Sequence, residues 1–178
     1  MKHFDKMLYF HSKQVSSYCI LLAEEYGFSK DFISDVKIAG LLHDIGKISI
    51  SKDVLNKKSK LSLNEYSYVK KHSVIGYNLL KSMSVSKTVL DGVLYHHERF
   101  DGKGYPEGLK GSEIPITGRI MGLVDAYSAM VMDRPYRQAL THSAALLELR
   151  KNSGSQFDPS LIDCFVKSFK TDKLFYVK

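Results

Sequence analysis

The sequence has no tryptophan, only four prolines and only two cysteines among 178 residues. Cys19 and Cys164 each lie in an apolar helical pattern, which excludes a disulfide-stapled secreted scaffold and favours reduced thiols in a core. The chain also lacks an apolar run as long as a membrane span, and its first residues lack the apolar segment of a signal peptide. These absences predict no membrane segment and a cytoplasmic location.

The chain also has fewer acidic residues than basic ones, 19 against 26, which gives a formal net charge of +7. No arginine-rich arm, zinc finger or RNA-binding aromatic motif accompanies this charge, so we expect no nucleic-acid polymer as a partner. Much of the lysine lies in residues 52–71 and 167–178. Two interpretations of these lysines stay open. They form an ordinary solvated surface, or they attract an anionic ligand such as a nucleotide.

Helical periodicity runs through most of the chain and predicts an all-α fold of about seven helices in one domain, residues 1–178. The motif Ser62-Leu63-Asn64-Glu65 is a capping box, which predicts the start of one long helix that carries His72, Leu79 and Leu80 on a single face. The helical pattern stops at residues 101–108, where glycines are dense. This segment, called the glycine-rich loop below, is predicted to be compact.

Several side chains that can bind a metal ion or a phosphate lie together at the end of an apolar helix, in the segment Leu42-His43-Asp44-Ile45-Gly46-Lys47. His43 and Asp44 are both metal-ligand types, and at a helix end both can face one ion beyond the terminus. Gly46 is predicted to end the helix. Lys47 has the charge and reach to contact a phosphate oxygen.

Five histidines share a position on the inner stripe, or at the inner end, of a predicted helix: His11, His43, His72, His96 and His97. A single histidine on an apolar face is usually a hydrogen-bonded core residue. Five that face one core would each need a polar partner, and a metal cluster satisfies them together. His3 and His142 fit no such pattern, and no role is assigned to them.

Asp125 is a carboxylate within an otherwise apolar helix, and such residues are rarely buried unpaired. A salt bridge to Arg119 or to a lysine is the simpler interpretation. With Asp44 it would instead give a metal site two carboxylates beside imidazoles. That mixture suits iron or manganese, allows zinc, nickel or cobalt, and does not suit calcium.

The order of these motifs resembles an HD-GYP domain, a branch of the HD metal-dependent phosphohydrolases. The resemblance covers about residues 9–169 and leaves residues 170–178 as a tail. It rests on these segments: His11-Ser12, His43-Asp44-Ile45-Gly46-Lys47-Ile48, His72, His96-His97-Glu98-Arg99-Phe100-Asp101-Gly102-Lys103-Gly104-Tyr105-Pro106, Ile114-Pro115, Asp125-Ala126-Tyr127, Asp133-Arg134-Pro135-Tyr136-Arg137 and Gln156-Phe157-Asp158-Pro159.

The resemblance implies an HD-type helical bundle with a GYP loop that hydrolyses cyclic di-GMP to pGpG, to GMP or to both. It implies one divalent metal ion on His11, His43, Asp44 and Asp125. It implies a second ion on Asp44, His72, His96 and His97, with Asp44 bridging. Two such ions can share a hydroxide, lower its pKa and direct it at phosphorus. Asp44 and Lys47 would then be catalytic.

The resemblance also implies contacts beyond the metal ions. The substrate phosphates would bind Lys47, Arg134 and Arg137. The Gly104-Tyr105-Pro106 segment would border the site, contact the cyclic dinucleotide, or dock partners such as GGDEF-domain cyclases. A homodimer is a further interpretation.

Two positions depart from the pattern of many HD-GYP domains. Ser128 stands where many members carry a second aspartate, and Met7 stands where some carry a glutamate for a third metal ion, so two ions are expected. Two alternatives stay open: the same chemistry on cyclic GMP-AMP, or a catalytically weak module that binds cyclic di-GMP or a cyclase. Because His11 comes so early, the chain is interpreted either as an excised domain or as a stand-alone enzyme.

Overall fold

The computed structural model describes residues 2–133 and 138–169, with side chains from residue 8 onward. Within these residues the chain forms nine α-helices, two 3-10 turns and no β-strand, so the all-α prediction is confirmed. The helices are α1 Lys2–Tyr26, α2 Lys30–Leu42, α3 Lys52–Leu55, α4 Leu63–Lys70, α5 His72–Lys81, α6 Lys87–Tyr95, α7 Ile116–Val131, α8 His142–Lys151 and α9 Pro159–Ser168. The predicted tail, residues 170–178, lies outside the described residues.

Side-chain caps fix where many of these helices begin. A side-chain oxygen accepts a hydrogen bond from the first turn at Ser29, Ser51, Ser62, Ser86, Thr141 and Asp158. At Ser62 the reciprocal bond from its own N–H to Glu65 is also present, so the predicted capping box is confirmed. Such caps satisfy backbone donors that the helix itself leaves without a partner.

The prediction of one long helix after Ser62 is wrong, because α4 ends at Lys70 and α5 begins at His72. The Nδ1 of His72 lies 2.7 Å from the carbonyl oxygen of Val69. An unbroken helix would use that carbonyl for the residue four positions further on. The break also changes the faces: His72 and Leu80 are buried, whereas Leu79, predicted on the same face, is 43% exposed.

The core aligns the helix ends that carry the histidines. Helix α1 packs against α2, α7 and α9, and α6 packs against α2, α5 and α7. Val15, Cys19 and Leu22 of α1 are fully buried, and His11 lies one turn before Val15 on that buried face. Among the helices that the structure describes, none combines the length and the hydropathy of a membrane span.

Gly46 does not end α2, contrary to the prediction. The helix already ends at Leu42, and Gly46 is buried in the 3-10 turn Ile45–Ser49. A Cβ at this position would lie 1.9 Å from the carbonyl oxygen of His72 and 2.7 Å from the nitrogen of Gly76. Glycine is therefore required for the close approach of the turn to α5, which places Asp44 and Lys47 beside His72.

Candidate metal centre

The structure brings the seven predicted ligands into one corner of the bundle. The ligand atoms of His11, His43 and Asp125 all lie within 4.8 Å of one another, and so do those of His72, His96 and His97. The first group joins α1, the end of α2 and α7, and the second joins the start of α5 to the end of α6. Residues that are distant in the sequence thus form two adjacent groups of metal-ligand type.

Asp44 lies between the two groups. Its Oδ2 is 3.5 Å from Nε2 of His43, and its Oδ1 is 3.4 Å from Nε2 of His72. Each carboxylate oxygen therefore faces a different group. This is the arrangement that the predicted bridging role requires, although the role itself stays a prediction.

Three of the histidines are oriented by the same kind of hydrogen bond to the local backbone. In His43, His72 and His96, Nδ1 lies 2.7 to 2.9 Å from the carbonyl oxygen of the residue three positions earlier. Each stands next to the end of a helix, where such carbonyls have no partner within the helix. A carbonyl only accepts, so Nδ1 carries the proton and Nε2 is directed into the site. Metal-bound histidines typically use a second hydrogen bond of this kind.

The residues present fit a bound cation. Burial lowers the pKa of His72 and holds that of His96 well below its usual value, so both imidazoles are neutral at pH 7. Their Nε2 lone pairs then face each other across 3.2 Å with no proton between them. The buried Nε2 of His43 likewise has no hydrogen-bond partner among the described residues. Two lone pairs that face each other, and a buried nitrogen without a hydrogen-bond partner, raise the free energy of the folded protein unless a cation lies among them.

The carboxylates of the site remain charged. Burial alone would raise the pKa of Asp44, but the charges of His43 and Lys47 outweigh it and hold the value well below the usual range. For Asp125, burial is outweighed by the hydrogen bond from His11 and the charge of His43, and its pKa is also lowered. Burial lowers the pKa of His97 to about 4. For His43, burial is outweighed by the charge of Asp44, and its pKa is raised. The site therefore offers ionised carboxylates and, at His72, His96 and His97, neutral imidazoles, which are the ligating forms.

Asp125 pairs with His11 and not with Arg119. Its Oδ1 lies 2.9 Å from Nε2 of His11, whereas Arg119 binds Asp158 at 2.6 Å. The simpler interpretation of Asp125 was a salt bridge to Arg119 or to a lysine. The pairing with Arg119 is therefore wrong, and among the described residues the ion-pair partners of Asp125 are His11 and His43, not a lysine. Ser128 lies behind His11, with Oγ 3.1 Å from Nδ1.

Two cavities flank the ligand cluster. The first, about 450 Å³, reaches His11, Asp44, Lys47 and Asp125 and has an apolar wall that includes Val54 and Leu55 of α3. The Nζ of Lys47 lies 2.5 Å from Oδ2 of Asp44.

The second cavity, about 410 Å³, is lined by His96, His97 and Asp125, and the last two residues also line the first cavity. Gly104 and Tyr105 line it, and Pro106 is not among its lining residues. Arg134 and Arg137, predicted to bind phosphate, lie outside the described residues, and so does the side chain of Met7.

Sequence reasoning assigned no role to Glu98 or Gln14. Glu98 is buried, and its Oε1 accepts hydrogen bonds from the backbone N–H groups of Glu107 and Gly108. Gln14 accepts a hydrogen bond from Ser128 through its amide oxygen. The signal for Glu98 was its place directly after the histidine pair. For Gln14 the local sequence carried no signal, because its partner comes from α7.

Comparison with known proteins agrees with this fold and cluster. The family model of the HD domain matches residues 4–161. The chain belongs to the HD domain family. The predicted resemblance to HD-GYP domains is confirmed at the level of this family.

Two curated relatives of this chain are named as phosphodiesterases. The chain is 41% identical over 150 residues to the cyclic di-GMP phosphodiesterase response regulator RpfG of Xanthomonas campestris; the match covers 83% of this chain and 39% of the relative. It is 34% identical over 162 residues to 3′3′-cGAMP-specific phosphodiesterase 2 of Vibrio cholerae, covering 88% of this chain and 30% of the relative. The HD domain thus spans less than half the length of these relatives.

A solved structure supports the fold. The crystal structure of a cyclic GMP-AMP specific phosphodiesterase of Vibrio cholerae matches with a TM-score of 0.75 at 22% identity. The match covers 94% of this chain and 46% of that one. At this identity the likeness establishes the shared helical arrangement and nothing about substrate.

Proposed function

We propose that this HD domain is a metal-dependent phosphodiesterase that hydrolyses cyclic di-GMP to pGpG, to GMP or to both. The observation that carries the proposal is the placement of Asp44 between two groups of ligand atoms, next to a cavity of about 450 Å³. The similarity to the phosphodiesterase RpfG supports the same reaction class.

The reaction is a hydrolysis that needs no protein nucleophile. Water adds to phosphorus, the bond from phosphorus to the 3′ oxygen breaks, and a proton from water ends on that oxygen. Divalent ions held by the two groups would lower the pKa of water and neutralise charge on the phosphoryl oxygens. Iron or manganese suits the mixed imidazole and carboxylate set best, with zinc, nickel or cobalt as the alternatives.

The chain itself would bind and orient the phosphate. The Lys47 side chain is about a quarter exposed and lines the cavity, so its ammonium can neutralise a phosphoryl oxygen as a point charge. The carbonyl bonds of His43, His72 and His96 fix the imidazoles before substrate arrives. Fixed groups of this kind avoid the cost of reorganisation during the reaction.

Cyclic GMP-AMP is the second candidate substrate, favoured by the similarity to 3′3′-cGAMP-specific phosphodiesterase 2. The decisive experiment incubates the purified chain with cyclic di-GMP, 3′3′-cyclic GMP-AMP and cyclic di-AMP separately. The protein is first stripped with a chelator and then reloaded with Mn²⁺ or Fe²⁺ under reducing conditions. We expect the highest kcat/KM with cyclic di-GMP and no turnover before reloading.

Two variants make the assay specific to the site. His72→Ala should abolish turnover, whereas His142→Ala should retain it, since His142 lies away from the cluster and is bonded to Tyr127. Tight binding of cyclic di-GMP without turnover under any metal would favour the catalytically weak module instead.

The proposal extends to partners through the glycine-rich loop. Lys103, Glu107 and Gly108 are exposed there and would offer contacts to a GGDEF-domain cyclase. Titration of the chain with a purified GGDEF domain, with Lys103→Glu as the weakened variant, tests this contact. Sedimentation equilibrium of the chain alone tests the predicted homodimer.

A further inference from the structure

The glycine-rich loop folds back onto the histidine pair that precedes it. The N–H of Tyr105 donates to the carbonyl oxygen of His97 at 3.2 Å. Glu98 Oε1 accepts from the N–H groups of Glu107 and Gly108 at 2.7 and 3.0 Å. The loop is thus bonded through Tyr105, Glu107 and Gly108 to His97 and Glu98, which follow α6.

Gly104 allows this approach. A Cβ at Gly104 would lie 2.3 Å from the nitrogen of Arg99 and 2.4 Å from Cα of Glu98. Any larger residue would therefore push the loop away from the end of α6. The glycine brings the next residue, Tyr105, directly over the imidazole of His97.

The ring of Tyr105 stacks on the ring of His97. Their centroids are 4.7 Å apart and their planes are inclined by 26°. The Nζ of Lys70 lies 5.1 Å from the centroid of the same tyrosine ring, a cation–π contact that also restrains it. The imidazole of His97 is thereby contacted by a side chain of the glycine-rich loop.

His97 differs from its neighbours in the site. His43, His72 and His96 are each fixed by a bond from Nδ1 to a carbonyl oxygen within their own segment. Among the described contacts of His97 there is no such bond. Its Nε2 lies 3.2 Å from Nε2 of His72. Its ring contacts the rings of His96 at 4.0 Å, Tyr105 at 4.7 Å and His72 at 5.0 Å, and of these three only Tyr105 is not itself a candidate ligand.

We propose that Tyr105 is a positioning residue for His97. Its ring holds the imidazole in the orientation in which Nε2 faces His72 and His96, and so raises the affinity of this three-histidine group for a divalent cation. The inference rests on the metal centre of the proposed function. It assigns to Tyr105 a task that is separate from contact with a cyclic dinucleotide.

The test measures metal affinity and not turnover. Metal-free full chain is titrated with Mn²⁺ by calorimetry, and with Co²⁺ while its visible absorption is recorded. Tyr105→Leu removes the flat ring, and Tyr105→Phe keeps it. We expect Tyr105→Leu to weaken one of two Mn²⁺ sites by about 10- to 100-fold, the usual effect of losing a group that orients a ligand. Tyr105→Phe should bind both ions like the wild type.

Reference variants locate the affected site. His97→Ala should weaken the same Mn²⁺ site as Tyr105→Leu and change the Co²⁺ spectrum in the same way. Unchanged Mn²⁺ affinity in Tyr105→Leu, with an increased KM for the nucleotide, would overturn the inference and make Tyr105 a substrate contact. If His72→Ala also left Mn²⁺ binding unchanged, the proposed metal centre itself would be wrong.

Folding of the variants is checked by thermal melting of the metal-free proteins. Should Tyr105→Leu fail to fold, Tyr105→Trp and Tyr105→Ile are compared in its place, because tryptophan offers a flat ring without a metal-binding atom and isoleucine has no ring. Equal Mn²⁺ affinity in those two variants would then overturn the inference.

Discussion

The Oδ1 of Asp44 lies 3.4 Å from Nε2 of His72, although Asp44 follows α2 and His72 begins α5. The other oxygen of the same carboxylate faces His43. One side chain therefore contacts both groups of ligand atoms. Its removal should affect two metal ions, whereas the removal of a histidine should affect one.

Asp44→Ala is accordingly expected to lower the Mn²⁺ affinity of both sites by about 100-fold or more. Loss of a residue that only hydrogen-bonds to a metal ligand already lowers metal affinity by about 10- to 100-fold, and loss of a ligand should cost more. His72→Ala should lower that of one site only. Elemental analysis after dialysis against low Mn²⁺ counts the ions that remain. Asp163→Ala, an exposed carboxylate of α9, is the matched control. Loss of a single ion in Asp44→Ala would contradict the bridging arrangement.

Ser128 orients His11, and we expect its removal to weaken the first metal site. Its hydroxyl donates to Oε1 of Gln14 at 2.8 Å, so its oxygen accepts from Nδ1 of His11 and leaves Nε2 of His11 to face Asp125. Ser128→Ala leaves that Nδ1 without its acceptor, and the expected loss of Mn²⁺ affinity is about 10-fold. Ser128→Asp installs another acceptor and should keep the affinity. Calorimetric titration compares them, and equal affinity in Ser128→Ala and wild type would rule out an orienting role.

Gly46→Ala is expected to destabilise the fold by about 2 kcal/mol or more, because a Cβ there overlaps the backbone of α5. Urea unfolding of the metal-free protein measures the change in free energy of unfolding. Gly27→Ala is the control: Gly27 has φ of 86° but no atom within 4 Å of an added Cβ, so only conformational strain of about 1 kcal/mol is expected. A smaller decrease in the free energy of unfolding for Gly46→Ala than for Gly27→Ala would contradict this prediction, because the turn could then move away from α5 without loss of stability.

Asp101 fixes the start of the glycine-rich loop, and its contribution should depend on pH. Its carboxylate accepts two hydrogen bonds from Arg99 and one from the N–H of Lys103. The bond with Arg99 lowers the pKa of Asp101 to about 2. Because this folded-state pKa is below the unfolded value of about 4, the stabilisation is present above about pH 4 and is lost as the pH falls toward 2.

Asp101→Asn tests this dependence. The difference in free energy of unfolding from wild type should be constant above about pH 5 and should shrink below about pH 4. Urea unfolding at successive pH values gives the difference, and Asp163→Asn serves as the reference for an exposed carboxylate. A difference that stays constant to the lowest pH at which both proteins fold would mean that Asp101 titrates normally.

Much of the helical framework and the identity of the candidate ligands followed from local sequence. Helix starts are predicted correctly at Ser62 with Glu65, at Ser86 and at Thr141, because a side-chain cap involves only residues within one turn. The apolar spacing around Val15 and Val36 marks inward faces for the same reason, and both side chains are fully buried.

The predictions fail where a contact outside the helical hydrogen-bond pattern decides the local conformation. Local sequence predicts a helix end at Gly46, but the lack of a Cβ there allows close contact with His72 and Gly76. The helix break at Lys71 was missed because the periodicity continues across it, while the imidazole of His72 takes the carbonyl of Val69.

Local sequence is thus enough to show that the chain is helical and which residues could bind metal, because helical period, caps and ligand chemistry are properties of short segments. The distances from Asp44 to both groups of ligand atoms, from Asp125 to His11 and from Tyr105 to His97 come from the packing of the helices. These relations depend on how helices pack at close range, and the packing is set by many side chains at once.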